Sequence, residues 1–293
     1  MLFNLQFILA PLVASLVLLT LTSYFGIHVL KREIIFIDIA LAQIAVMGSA
    51  IAIYLEHTFH LHEVMIGTWN LSDTLAYIFS LLFCLGAALL FTLLKNPKIK
   101  TPIEAFIGIA YAFATTATVI ILDKGAGGDV HLHDMLTGVL LWTDWPQVLR
   151  LVIVFALIGA FHAVYHRKFT QLTDSYHGKA LPGKGQKLWD FLFYATFGVM
   201  IIESVRIAGV LTVFAFLIIP ASISALFSTR WRNRIVIGLV SGLIATLLGL
   251  HFSLTLDLTA SPLIILFLGL ILFLGSIVRK LLGSIRPSTQ IQK

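Results

Sequence analysis

Two carboxylates lie inside long apolar runs of this chain, where an ionisable group is costly unless it faces a partner or a pathway. They are Asp38, in Phe36-Ile37-Asp38-Ile39-Ala40-Leu41-Ala42-Gln43, and Glu203, in Glu203-Ser204-Val205-Arg206. Asp38 reads either as a pathway carboxylate or as an interfacial one paired with Lys31 or Arg32. Gln43 lies deeper in the same run, where an amide hydrogen-bonds a neighbouring helix or lines the same pathway. Glu203 and Arg206 are spaced i, i+3, at which side chains on one helix meet. They read first as an ion pair. A substrate role is the alternative, because their turn interrupts two apolar halves, the kind of place where transporter helices break and turn backbone polar groups toward a cavity.

Five of the ten histidines fall in two further clusters: His57, His60 and His62 beside Glu56 and Glu63, and His131 and His133 beside Asp129 and Asp134. Imidazole and carboxylate are ligands that divalent transition metals use at neutral pH. The spacing matches no closed zinc site, so the first cluster reads as a solvated loop, while His131 and His133 stand as outer-mouth candidates. His162, His166 and His177 read as polar residues at the membrane edge. Hydrolytic chemistry finds no support, since the chain has no H-E-x-x-H and no G-x-S-x-G motif. Gly178 to Lys184 fits the frame G-x-x-x-x-G-K, but Gly185 stands where a phosphate-binding loop needs Ser or Thr for magnesium, and no buried strand precedes it.

The elements that must hold these residues are membrane helices. Of 293 residues, 59% are hydrophobic and only 12% charged, against about 25% charged in soluble domains. Mean hydropathy is +0.98. One cysteine, Cys84, excludes a disulfide framework and a cysteine-rich metal cluster. The net charge of +6 comes from short basic clusters between apolar runs, without the basic and aromatic surface of a nucleic-acid binder. A hydrocarbon core of about 30 Å takes roughly 20 helical residues. The runs that meet or approach this are 5-28, 34-55, 74-94, 105-122, 146-165, 191-206, 207-229, 235-256 and 258-278, with 191-229 readable as two spans or one broken helix. The fold class is therefore all-α, a polytopic membrane protein of about nine transmembrane helices in a single domain. The uncharged first run is too long for a signal peptide and reads as a retained span.

Charge sets the expected orientation. With nine spans, every Lys and Arg of the 20 except Lys124, Arg150 and Arg206 falls on one side. The positive-inside bias then puts the amino terminus outside and the carboxyl terminus in the cytoplasm. Along the second span Ala42, Ala45, Gly48, Ser49 and Ala52 make a small-residue face suited to close helix packing.

With these residues in view, the chain resembles the integral membrane permeases of ATP-binding-cassette importers for zinc, manganese or iron, the ABC-3 type. The likeness runs through Gly26 to Arg32 and Asp38 to Gly48, then Glu104-Ala105-Phe106-Ile107-Gly108-Ile109-Ala110-Tyr111, then Gly128-Asp129 with His131, Leu136, Gly138 and Leu141-Trp142. It is strongest in Val205-Arg206-Ile207-Ala208-Gly209-Val210-Leu211 and Phe214-Ala215-Phe216-Leu217-Ile218-Ile219-Pro220-Ala221, followed by Leu256-Asp257-Leu258, Ser261-Pro262 and Leu268-Gly269.

The resemblance implies a homodimer of permeases in the plasma membrane of a prokaryote, a cytoplasmic ATPase subunit held by the loop 166-188, and an extracytoplasmic solute-binding protein. Lipid is the other partner expected, and nucleic acid is not. No cofactor is expected to be permanently bound; zinc, manganese or iron would be cargo. Asp38, Gln43, His131, His133 and Glu203 are the transport-pathway or outer-mouth candidates for that metal. Members of the family commonly carry Gly-Asp, Leu-Ser-His and Pro-Gly in the second span. Aligned on Gly48, this chain has Asp38 for that Gly, Ile39 for the Asp, Gln43 for the His and Met47 for the Pro, and in the 166-188 loop Thr173 to Gly178 stand in place of an Asp, a Pro and an acidic run. Two other readings stay open: a secondary transporter or channel without an ATPase, and the same importer architecture carrying a metal complex or an organic solute.

Overall fold

The computed structural model describes residues 5–59, 65–66, 69–95, 101–123, 138, 140–176 and 185–285. These form α1 (Leu5–Arg32), α2 (Ile37–Phe59), a small antiparallel hairpin β1 (Met65–Ile66) and β2 (Trp69–Asn70), α3 (Leu71–Leu94), α4 (Ile103–Asp123), a 3₁₀ turn (Leu140–Trp142), α5 (Trp145–Val164), α6 (His166–Asp174), α7 (Gln186–Ala208), α8 (Val210–Phe227), α9 (Trp231–Leu256) and α10 (Ala260–Ile285). Among the described residues nine helices, all but α6, are long and apolar enough to cross a membrane. The shortest has 18 residues and the longest 26, or roughly 27 to 39 Å at 1.5 Å per residue. The short hairpin apart, the fold is helical, as hydropathy requires: in a bilayer only closed hydrogen-bond patterns survive.

Burial divides the spans. In α2 and α7, 72% and 67% of the most apolar stretch is buried, against 17% in α10 and 22% in α4. α2 lies on α3 and α4, α1 on α8 and α9, and α7 on α3. The small face of α2 makes its contact with α3 possible: a β-carbon on Gly48 would stand 2.7 Å from the Phe79 carbonyl oxygen, and the Ser80 hydroxyl donates to the Ala45 carbonyl at 2.8 Å. Such small-residue contacts let backbones approach where no hydrophobic force drives helices together.

α7 and α8 are separate helices joined by one residue. Gly209 adopts φ 77 and ψ 160, a conformation that favours glycine, and its N–H donates to the Val205 carbonyl at 2.9 Å. Gly138, also at positive φ, lies against the backbone of Ala208 and Gly209, where a side chain would collide. α5 begins at a capping box, in which the Asp144 carboxylate accepts the Gln147 N–H at 2.9 Å and the Gln147 side chain accepts the Asp144 N–H. That start sets the register of Arg150, one turn further on.

Candidate transport site

Asp38 occupies the first turn of α2 and is only 2% exposed. Among the described residues no side chain hydrogen-bonds either of its carboxylate oxygens, and of donors only the backbone N–H groups of Asp38 and Ile39 stand near them. A buried carboxylate without a counter-charge is among the most costly arrangements in a protein, so its place in the most buried span marks it. The pairing with Lys31 or Arg32 does not form: Lys31 reaches Asp174 at 2.7 Å and Arg32 reaches Asp190 at 3.2 Å. What fixes this end of α2 is the turn before it, where Glu33 takes φ 55 and the Ile35 N–H donates to the Glu104 carboxylate of α4 at 3.2 Å. Gln43 is buried on the same helix, five residues or about 7.5 Å along the axis.

Glu203 lies near the far end of α7 and is paired, but not with Arg206. Its Oε1 accepts from Arg150 Nη2 of α5 at 2.9 Å. The Tyr77 ring of α3 receives both guanidiniums, Arg150 at 4.6 Å and Arg206 at 5.4 Å from its centroid. Beside this group α2, α3 and α7 enclose a cleft of about 60 Å³, lined by Ala42, Ala45, Ser49, Tyr77, Ser80 and Arg206 among others. Among the described residues Arg206 is the one charged residue that lines it.

The structure therefore does not gather the candidates into one site. Asp38 and Gln43 lie on α2, and Glu203 is tied to α5. His131 and His133 lie outside the described residues, as do His60 and His62. Among the described residues no group of three or more His, Cys, Asp or Glu stands close enough to hold a metal ion.

A second cluster sits at the opposite end of α7, and spacing along the chain gave little sign of it. Asp190 accepts from Arg32 Nη1 of α1 at 3.2 Å and from Lys95, just past α3, at 2.7 Å. Arg32 also donates from Nε to the Thr173 hydroxyl of α6 at 2.9 Å, and that hydroxyl lies 2.6 Å from His28 Nδ1. Burial lowers the Lys95 ammonium below the usual lysine range, and the Asp190 carboxylate opposes this. His162 lies in the last turn of α5. It is buried between the Tyr24 and Thr196 hydroxyls and stacks on Phe169 of α6 at 4.1 Å. Asp190 was the available signal: α7 starts at Gln186 and so includes this acid, whereas a span begun at 191 leaves it in a loop.

The model of the ABC 3 transport family matches residues 4–279. The chain belongs to the ABC 3 transport family. With nine membrane-length helices among its described residues, this family member is a multi-pass permease of the prokaryotic plasma membrane. Among its relatives, a "probable metal transport system membrane protein" of Chlamydia trachomatis is 22% identical over 263 residues, 90% of this chain and 86% of that protein. The "manganese transport system membrane protein MntC" of Listeria monocytogenes is 24% identical over 247 residues, 81% of each. Among solved structures, "PsaBC from Streptococcus pneumoniae in complex with Fab" shares the fold with a TM-score of 0.73 at 18% identity, covering 96% of this chain and 95% of that one.

Proposed function

We propose that this chain is the membrane permease of an ATP-driven importer for a divalent transition metal, zinc, manganese or iron. The observation that carries the reading is the family match over residues 4–279, with metal-transport relatives aligned over at least four-fifths of the chain. In this reading the chain acts as a homodimer and a separate cytoplasmic subunit hydrolyses ATP. A soluble binding protein delivers metal outside. The amino terminus is outside, the Lys- and Arg-rich ends of α1, α3 and α5 face the cytoplasm, and the segment 166–188 meets the ATPase. Asp38 and Gln43 on α2 line the pathway, and His131, His133 and Glu203 lie toward its outer mouth.

Physical chemistry supports giving α2 the central part. It is the most buried span and holds a buried carboxylate with no side-chain counter-charge, the condition in which a passing cation gains most. A second reading, import of a metal bound in an anionic complex, draws on Arg206 as the charged residue of the cleft beside α2 and on the amide, in place of an imidazole, at Gln43.

Purification of the tagged chain from native membranes, with mass spectrometry of what accompanies it, tests the partners. Accumulation of zinc, manganese and iron in cells with and without the chain tests the cargo. A stoichiometric ATPase subunit and loss of one metal's uptake are expected. ATP-independent flux from the chain alone would overturn the importer reading and favour a secondary transporter.

A further inference from the structure

The cluster around Arg32 joins four elements through side chains that have no water to retreat into. Arg32 is 1% exposed, its guanidinium lies 3.8 Å from the centroid of the Phe193 ring, and it donates hydrogen bonds to Thr173 on α6 and Asp190 on α7. Asp190 in turn holds Lys95 at the end of α3, whose ammonium also sits 3.9 Å over the Tyr176 ring that follows α6. α6 is amphipathic: Phe169, Leu172 and Thr173 face inward, while Arg167, Lys168 and Gln171 are exposed. At its far end Asp174 pairs with Lys31 of α1. The contacts of α6 are specific to one register. Sliding it against α1 would strip the buried Arg32 guanidinium of its Thr173 acceptor and part Asp174 from Lys31, while the buried Arg32–Asp190 pair, costly to break from one side, holds α1 to α7. Apolar packing alone would impose no such penalty.

Arg32 is also six residues before Asp38, with only the turn at Glu33 between α1 and α2. Whatever moves Arg32 moves the start of α2.

We propose that Arg32 and Asp190 are positioning residues that lock the surface helix α6 to α1, α3 and α7 as one body, so that a push on α6 reaches the Asp38 end of α2 undiminished. The proposal rests on the importer reading, with the ATPase subunit supplying the push. The residues where this chain departs from the family's loop pattern, Thr173 and Asp174, are then the ones that key α6 to α1.

The test uses the assembled importer, permease with its ATPase and binding protein, in proteoliposomes, with metal uptake and ATP hydrolysis measured together. Asp190→Asn and Arg32→Gln are expected to lower the metal moved per ATP by about tenfold while hydrolysis stays within about twofold, the size of a typical coupling between sites. Asp190→Glu is expected to restore the ratio in part. Equal loss of uptake and hydrolysis would make the pair merely structural and overturn the proposal. For variants that do not assemble, Lys31→Cys with Asp174→Cys, at an exposed pair, leaves the buried cluster intact. Bridging the two thiols with a short reducible cross-linker is expected to hold uptake at or above that of the unbridged variant, because α1 and α6 move together. Loss of uptake that reductant reverses would show that they must separate, and would overturn the proposal. Absence of ATP-dependent uptake in the wild-type assembly would instead remove the importer reading, and this proposal with it.

Discussion

The two ends of α7 each present a buried acid to an arginine from another helix, and they differ in what stands behind that arginine. Asp190 and Glu203 are both 4% exposed at the side chain and lie thirteen residues, about 20 Å, apart on the helix axis. Arg32, the partner of Asp190, has no exposed side-chain surface, and Lys95 closes the other side of the same carboxylate. Arg150, the partner of Glu203, is 44% exposed, and the cleft beside that pair is lined by a second arginine. One end is a buried joint. The other is half wet and opens on space. The difference teaches that ion-pair geometry alone does not set the role: a pair with no access to water fixes a register, while a pair with one wet partner can rearrange when charge arrives.

The largest effect is expected where neither partner can be resolvated. Asp190→Ala leaves Arg32 buried against the Thr173 hydroxyl with no carboxylate beside it, and breaking a buried pair from one side costs about 3 kcal/mol or more. The purified variant should melt well below wild type by tryptophan fluorescence in detergent. Arg150→Ala strips Glu203 in the same formal way, but the vacated space admits water from the exposed side. Its expected cost is smaller, about 1 to 2 kcal/mol, within the range for an unsatisfied polar group. Equal melting shifts for the two variants would erase the contrast between the ends.

Asp38 sharpens the comparison from a third position, because it is an acid with no side-chain partner to lose. Replacing an unpaired buried carboxylate by its neutral isostere removes a desolvation cost and leaves no cation behind. Asp38→Asn is therefore expected to melt at or slightly above the wild-type temperature, by no more than about 1 kcal/mol in stability, while transport falls. Asp190→Asn should do the opposite in the melting assay. A marked loss of stability in Asp38→Asn would mean that the carboxylate has a structural partner and would take it out of the pathway.

The helices were legible in hydropathy because the bilayer leaves so little choice, and so was the small face of α2, whose Gly48 does meet α3. The pairings were not legible. Arg206 is the cation nearest to Glu203 in sequence, yet the carboxylate takes Arg150, 53 positions away. Lys31 and Arg32 are the cations nearest to Asp38, yet they go to Asp174 and Asp190 across more than 140 positions. In each case tertiary packing outbid neighbourhood: a flexible basic side chain at a helix end goes where a buried acid already stands. The polar turn ahead of α7 hid Asp190 for a related reason, since Lys184 and Lys187 make the residues around it read as loop.

The smallest effect on stability, and the most informative about cargo, belongs to Arg206. It is exposed and lies over the Tyr77 ring, so Arg206→Ala should change stability by no more than about 0.5 kcal/mol. Its field acts on the cleft all the same. A cationic rim opposes a bare divalent ion and favours an anionic complex, and a single charge at an exposed position changes encounter rates by a few-fold in a salt-dependent way. If free metal is the cargo, Arg206→Ala should raise the initial rate of uptake two- to threefold or so, with the difference shrinking as ionic strength rises. If an anionic complex is the cargo, the same variant should slow uptake by a similar factor. The sign of that change, read at low salt with the metal supplied free and then with an excess of a carboxylate chelator, separates the two cargo classes because the variant folds like the wild type.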